Sequence, residues 1–174
     1  MSVNCVNCIF VYAIPIRLAN LKIPISVLVL IHNRNQEVLL LERADRPGFW
    51  QSVTGSLDEI DESLERAAIR EVAEETGIDI QALPLGALQN LHHAVEYEIY
   101  PSWRYRYPPG VERNTEHWFA LEVPANTAIR LAPREHLQYV WLPYQEAAVC
   151  LATLSRGCPE MFFSYKPGCH FAVL

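Results

Sequence analysis

The sequence predicts a mixed β-sheet packed between α-helices, an α/β (α+β) fold class. Three observations carry this. A nearly unbroken β-branched and aliphatic run from Ile23 to His32 suits a strand buried on both faces. A helix-period pattern covers Asp61 to Thr76, and further strand-like runs followed by a second helical pattern close the region. With 174 residues, 51% hydrophobic and 20% charged, and with no repeat or Ser/Gly-rich linker, one domain with one core is expected.

After the polar turn His32-Asn33-Arg34-Asn35, Glu37 to Glu42 supplies a second strand, so a hairpin is expected. Ala44-Asp45-Arg46-Pro47-Gly48 combines a proline, a glycine and alternating charge and reads as loop, leading into Phe49-Trp50-Gln51-Ser52-Val53-Thr54-Gly55. The helix expected over Asp61 to Thr76 carries small or apolar residues at Leu64, Ala67, Ala68, Val72 and Ala73. Asp58, Glu59, Asp61 and Glu62 gather at the positive end of its dipole, and Gly77 can turn left-handed at its exit. Strands are then expected around Ile78 to Leu85, Tyr97 to Tyr107 and Trp118 to Val123, with Pro108-Pro109-Gly110 as a turn. A short strand near Tyr139 to Leu142 precedes a helix from Tyr144 to Leu154.

Composition excludes several function classes. The formal charge of -6 argues against a nucleic-acid polymer as partner, since phosphate backbones demand an excess of Lys and Arg. No apolar run approaches the roughly 20 residues of a membrane-spanning helix. The Ile9 to Ile16 stretch contains Pro15 and lacks a basic start, so it makes a poor signal peptide. Cys5, Cys8, Cys150, Cys158 and Cys169 are odd in number and irregularly spaced, and Cys5-x-x-Cys8 lacks the second half of a zinc site. Free thiols in a reducing cytoplasm are expected.

The chemistry concentrates in Arg70-Glu71-Val72-Ala73-Glu74-Glu75-Thr76-Gly77-Ile78. At 100° per residue, Glu71 and Glu75 share one helix edge with Glu74 beside them, and Arg70 offsets only part of their repulsion. Hard oxygen ligands of this kind suit Mg²⁺ or Mn²⁺, which can also bridge to phosphates. A Glu-rich stripe alone is usually a solvated helix face. Here the acids lie between Gly55 and Gly77, with Arg70 directly before the first of them, and the pattern resembles the Nudix box: Gly, five residues, Glu, seven residues, Arg-Glu, an apolar residue, any residue, Glu-Glu, any residue, Gly, an apolar residue. The chain departs from it at one point. Six residues, Ser56 to Asp61, separate Gly55 from Glu62, the glutamate that lies the required distance before Arg70.

The resemblance implies the Nudix fold and a metal-dependent hydrolase of nucleoside-triphosphate-like substrates. Glu71 and Glu75 are implied as metal ligands, together with Glu62 at the box's first glutamate. Glu74 is implied to share the metal or help activate water, and Arg70 to orient a glutamate. Three further segments, Phe49 to Gly55, Arg104 to Glu116 and Glu135 to Trp141, resemble the bacterial dihydroneopterin triphosphate diphosphatase family of folate biosynthesis. That resemblance implies cleavage of a pterin triphosphate to its monophosphate and pyrophosphate.

It also implies Glu135 as a further metal ligand or general base, with Glu116 as runner-up. Lys22, Arg43 and Thr54 are expected to contact the phosphates or the substrate's side chain, and Tyr97, Glu98, Ile99 and Tyr100 to line a ring pocket. The domain is expected to span 22–155, between an N-terminal extension 1–21 and an irregular, Gly- and Pro-bearing tail 156–174. The rival readings are a Nudix hydrolase of nucleoside triphosphates such as dATP or oxidised purine nucleotides, and a ligand-sensing Nudix domain without catalysis. Retention of Glu62, Glu71, Glu74 and Glu75 favours an enzyme.

Overall fold

The computed structural model describes residues 21–154 and the two-residue strands Phe163–Ser164 and Ala172–Val173, which pair antiparallel. The N-terminal extension, with Cys5 and Cys8, and the rest of the tail lie outside the described residues.

Strands β1 (Ile25–Asn33) and β2 (Glu37–Arg43) form the expected hairpin, and Asn33 caps its turn by accepting the Asn35 and Glu37 backbone N–H groups. Short strands β3 (Trp50–Gln51) and β4 (Val53–Ser56) follow the Pro-Gly loop. Helix α1 (Leu64–Thr76) leads to β5 (Leu88–Glu98), β6 (Arg113–Val123), β7 (His136–Pro143) and α2 (Tyr144–Leu154). The sheet runs β3-β2-β1-β6-β5, with β4 paired to β1 and β7 to β2, and it is mixed because β1 and β6 are parallel while the other pairs are antiparallel.

Alternation along β1 divides the interior. Val27, Val29 and Ile31 pack with Phe119 and Leu121 against Ala67, Ala68 and Val72 of α1. On the opposite face Leu30, Val38 and Leu40 pack against Ala147 of α2, with Leu28 and Trp50 beside them. Each fully buried side chain of this size contributes about 1.5–3 kcal/mol. α1 needs its small residues because Ala67 and Ala68 let the helix axis approach the sheet closely enough for its carboxylates to reach β4.

Four expectations are corrected. α1 starts at Leu64, not Asp61, because Ser63 adopts extended backbone and its hydroxyl accepts the Arg66 N–H as an N-cap. Ile78 to Leu85 is not a strand: the Asp79 carboxylate accepts the Gln81 N–H and caps a single 3-10 turn, Ile80–Ala82. Pro101 ends extended structure after Tyr100, so Pro101–Arg106 is 3-10 helix and Tyr97 to Tyr107 is not one strand. The strand in that region is β5, which begins at Leu88, and β6 starts at Arg113, before the expected Trp118.

Candidate active site

The site forms where β4 meets the exposed edge of α1. Gly55 has no side chain, and the Glu71 carboxyl fills that space: a Cβ there would lie 1.8 Å from its Cδ and Oε1. This is the physical reason for the glycine of the box. At the other end Gly77 takes φ 69° and its N–H closes onto the Ala73 carbonyl, a left-handed cap that ends the helix just after Glu75.

Arg70 clamps the acids. Its guanidinium donates to both carboxylate oxygens of Glu62 at 3.0 and 3.1 Å, to Glu71 at 2.6 Å and to the Ser56 carbonyl at 2.9 Å, and it reaches Glu74 at 3.5 Å. Asp58 lies 3.2 Å from Nε. Glu62 therefore stands before the helix, not on its edge, and its second role is to accept the Asp58 N–H at 2.8 Å. These bonds, the Arg70 bond first, hold the Glu62 carboxyl below the usual carboxylate range. The extra residue of the box lodges in the exposed bend Glu59-Ile60-Asp61.

Glu71 and Glu75 are buried, and Glu74 is exposed. Burial pushes the Glu71 carboxyl up to about 7, against the Arg70 bonds and with help from the Glu75 and Glu74 charges. Burial also raises Glu75, which His136 Nε2 at 2.8 Å and the Thr54 backbone N–H partly offset. Ligand atoms of Glu75, Glu135 and His136 lie within 4.8 Å of one another. Glu135 is exposed at the rim, at the end of the loop into β7. The set of buried, burial-raised carboxylates against one already saturated guanidinium fits a divalent cation with hard oxygen ligands. Glu75 and Glu135 lie close enough together to share it, and Glu71 lies one turn before Glu75 on the same helix.

The remaining expected residues are more scattered. Arg43 ends β2, donates to both Asp45 oxygens at 2.7 Å and to Gln51 at 2.9 Å, and lies over the Trp103 ring. Thr54 lies on β4, its hydroxyl 3.4 Å from Gln51 Nε2, and Lys22 donates its backbone N–H to the Arg106 carbonyl. Of the four consecutive residues expected at the ring pocket, Glu98 is exposed and bonded to Arg104, Ile99 is 2% exposed, and Tyr100 is exposed edge-on to Trp103. Tyr97 alone among them joins a buried polar row, accepting a 3.1 Å bond from Asn114. Glu116 lies on β6, two strands from β4, and is not part of the Glu75, Glu135 and His136 group.

Sequence reasoning missed His136 and Asn114. The signal for His136 was its adjacency to Glu135. For Asn114 it was the alternation Asn114-x-Glu116-x-Trp118, which sets polar groups on one face of a strand.

A carboxylate-bearing helix edge packed against a strand glycine and clamped by one arginine is an arrangement that suits metal-assisted hydrolysis of a phosphoanhydride. The NUDIX domain profile matches residues 22–159, and the chain belongs to the Nudix family of hydrolases. It is 48% identical over 143 residues to a protein named dihydroneopterin triphosphate diphosphatase from Escherichia coli, covering 81% of this chain and 93% of that one. A protein of the same name from Haemophilus influenzae is 42% identical over 123 residues, covering 70% and 75%. The solved structure of the E. coli dihydroneopterin triphosphate pyrophosphohydrolase superposes with a TM-score of 0.68 at 42% identity, over 78% of this chain and 95% of that one. No helix among the described residues is long and apolar enough to cross a membrane.

Proposed function

We propose that this chain hydrolyses dihydroneopterin triphosphate to the monophosphate and pyrophosphate, with Mg²⁺ as cofactor and Mn²⁺ as a substitute, in cytoplasmic folate biosynthesis. The observation that carries this is the 48% identity along 93% of the length of an enzyme with that activity in its name. The intact acid-and-arginine geometry of the box supports catalysis as opposed to ligand sensing.

Glu71, Glu75 and Glu135 would hold the ion, and Glu74, next to Glu75 on the helix, could share it. When bound, a divalent cation here neutralises phosphate charge and acidifies attacking water. The protein's own groups do the rest. Arg70 fixes Glu62 and Glu71, His136 fixes Glu75, and of the exposed carboxylates Glu135 and Glu74 the one that does not hold the ion takes the water's proton. In-line displacement then expels pyrophosphate, with no covalent protein intermediate. Arg43, which ends β2, and Thr54 within β4 supply phosphate contacts, and Lys22, three residues before β1, adds a third.

Pyrophosphate release, measured across dihydroneopterin triphosphate and the standard nucleoside triphosphates with and without Mg²⁺, tests the reading. The pterin is expected to give the highest kcat/KM, and only with metal. A higher value for dATP or an oxidised purine triphosphate would replace the substrate and keep the chemistry.

A further inference from the structure

A second group of buried polar side chains lies outside the carboxylate cluster and is not used by the hydrolytic steps. Strand register builds it. On β1, Ser26 pairs with Ser56 of β4 on one side and with Glu116 of β6 on the other, and Asn114 of β6 pairs with Tyr97 of β5. Alternation puts Ser26, Asn114, Glu116 and Tyr97 on the sheet face opposite α1. At about 4.8 Å per strand, Glu116 lies two spacings, about 10 Å, from the β4 strand that meets the metal-site acids.

The group is rich in acceptors and short of donors. Asn114, 1% exposed, spends its amide N–H groups on Ser26 at 2.7 Å and Tyr97 at 3.1 Å, and its Oδ1 is buried with no partner among the described residues. Glu116 is 8% exposed, and burial pushes its carboxyl up to about 7 despite a hydrogen bond from the Trp118 side chain. No Arg or Lys pairs with it in the described region. A buried acceptor left unpaired is costly, so one that a folded chain retains calls for a partner from outside the protein.

We propose that Glu116 and Asn114 form the seat for the substrate's ring, reading the N3–H and 2-amino edge of a 2-amino-4-oxopyrimidine unit. This deepens the proposed function and rests on its ring-bearing triphosphate. The carboxylate accepts N3–H and one amino hydrogen, and Asn114 Oδ1 accepts the other. Ser26 and Tyr97 hold the Asn114 amide in the orientation that leaves Oδ1 without a donor from the described residues. Three acceptors thus meet the three N–H hydrogens of the N3–H and 2-amino groups. A ring with oxygen in place of the 2-amino group leaves acceptors unpaired.

Guanosine and inosine triphosphates differ only in that amino group and isolate its contribution. The wild-type chain is expected to favour the guanosine compound in kcat/KM by roughly tenfold or more, and Glu116→Gln to reduce the ratio to about threefold or less, the loss falling on KM for the guanosine compound. Where turnover is slow, or where the variant does not fold, the same discrimination is read on the wild-type chain as competitive inhibition by pterin and by its 2-oxo counterpart. A wild-type chain that does not distinguish the pair, or a folded Glu116→Gln that keeps the ratio, overturns the seat. If the ratios behave as expected while dihydroneopterin triphosphate is a poor substrate, the proposed function fails and the seat stands.

Discussion

The Glu71 carboxyl occupies the space that a side chain on Gly55 would need, 1.8 Å from where that Cβ would sit. Gly55→Ala must therefore displace a metal-site acid while leaving the core alone. Turnover is expected to fall by roughly a hundredfold or more, with the far-ultraviolet circular dichroism unchanged. Wild-type turnover in the alanine variant would show that Glu71 need not lie against β4.

His136 and Glu75 are both buried and 2.8 Å apart. Removing the imidazole in His136→Ala leaves a buried carboxyl with only the Thr54 N–H, so metal affinity should weaken by about tenfold to a hundredfold. Calorimetric titration of Mn²⁺ into the two proteins measures it directly, and equal affinities would mean that His136 is packing alone.

Glu71→Gln and Glu75→Gln each keep side-chain shape and remove a charge. Either is expected to lower turnover by roughly a hundredfold or more, with the fold retained. A purified variant of near-normal activity would defeat its assignment as a ligand.

Glu62 holds the Arg70 guanidinium with both oxygens, whereas Asp61 is exposed in the preceding bend. Glu62→Gln should therefore impair turnover more than Asp61→Asn, as the box alignment also requires. Since Glu62 acts through Arg70 as well as by its charge, its loss should lower kcat even at saturating Mg²⁺. The reverse ranking in steady-state rates at several Mg²⁺ concentrations would show that the bend, not Arg70, organises the site.

Glu71 and Glu116 titrate near 7 in the folded chain, above the ordinary 4.5, and Glu75 is raised too. The folded state then binds more protons than the unfolded state between about 4.5 and 7, so these acids make metal-free protein less stable as pH rises through that window. His32, lowered by burial, works the other way. Glu116→Gln isolates one contribution: the variant should melt higher than the wild type at pH 8, on the order of 5 °C, with the difference shrinking towards pH 5. Thermal melts in chelator across that range check it, and a pH-independent difference would contradict the burial of Glu116.

The helix edge was legible because 3.6-residue periodicity converts spacing into direction, so Glu71, Glu74 and Glu75 could be placed without tertiary information. Glu62 was not, because counting back from Arg70 carries helical phase through Ser63, where the N-cap ends it. β5 escaped because it is an edge strand with only one half-buried face, and polar Gln89-Asn90 and His92-His93 break up its apolar alternation; His92 takes φ 51° at a register shift. His136 meets Glu75 across 61 residues, and Asn114 meets Ser26 across 88. Such meetings are made by strand pairing and leave no local trace.

β1 carries two messages in one alternation, Val27, Val29 and Ile31 towards α1 and Ser26 towards the polar row. A one-residue deletion inside it would turn Ser26 into the apolar core beneath α1 and put a branched side chain into the polar row. The Glu59-Ile60-Asp61 bend has no such double duty: its ends are pinned by buried Leu57 and by Arg70-held Glu62, and each doubling of a flexible loop's length costs only about 0.6 kcal/mol. Relatives of this chain should thus vary in length in that bend while β1 keeps its count, and grafts or tags inserted between Glu59 and Asp61 should leave a working enzyme.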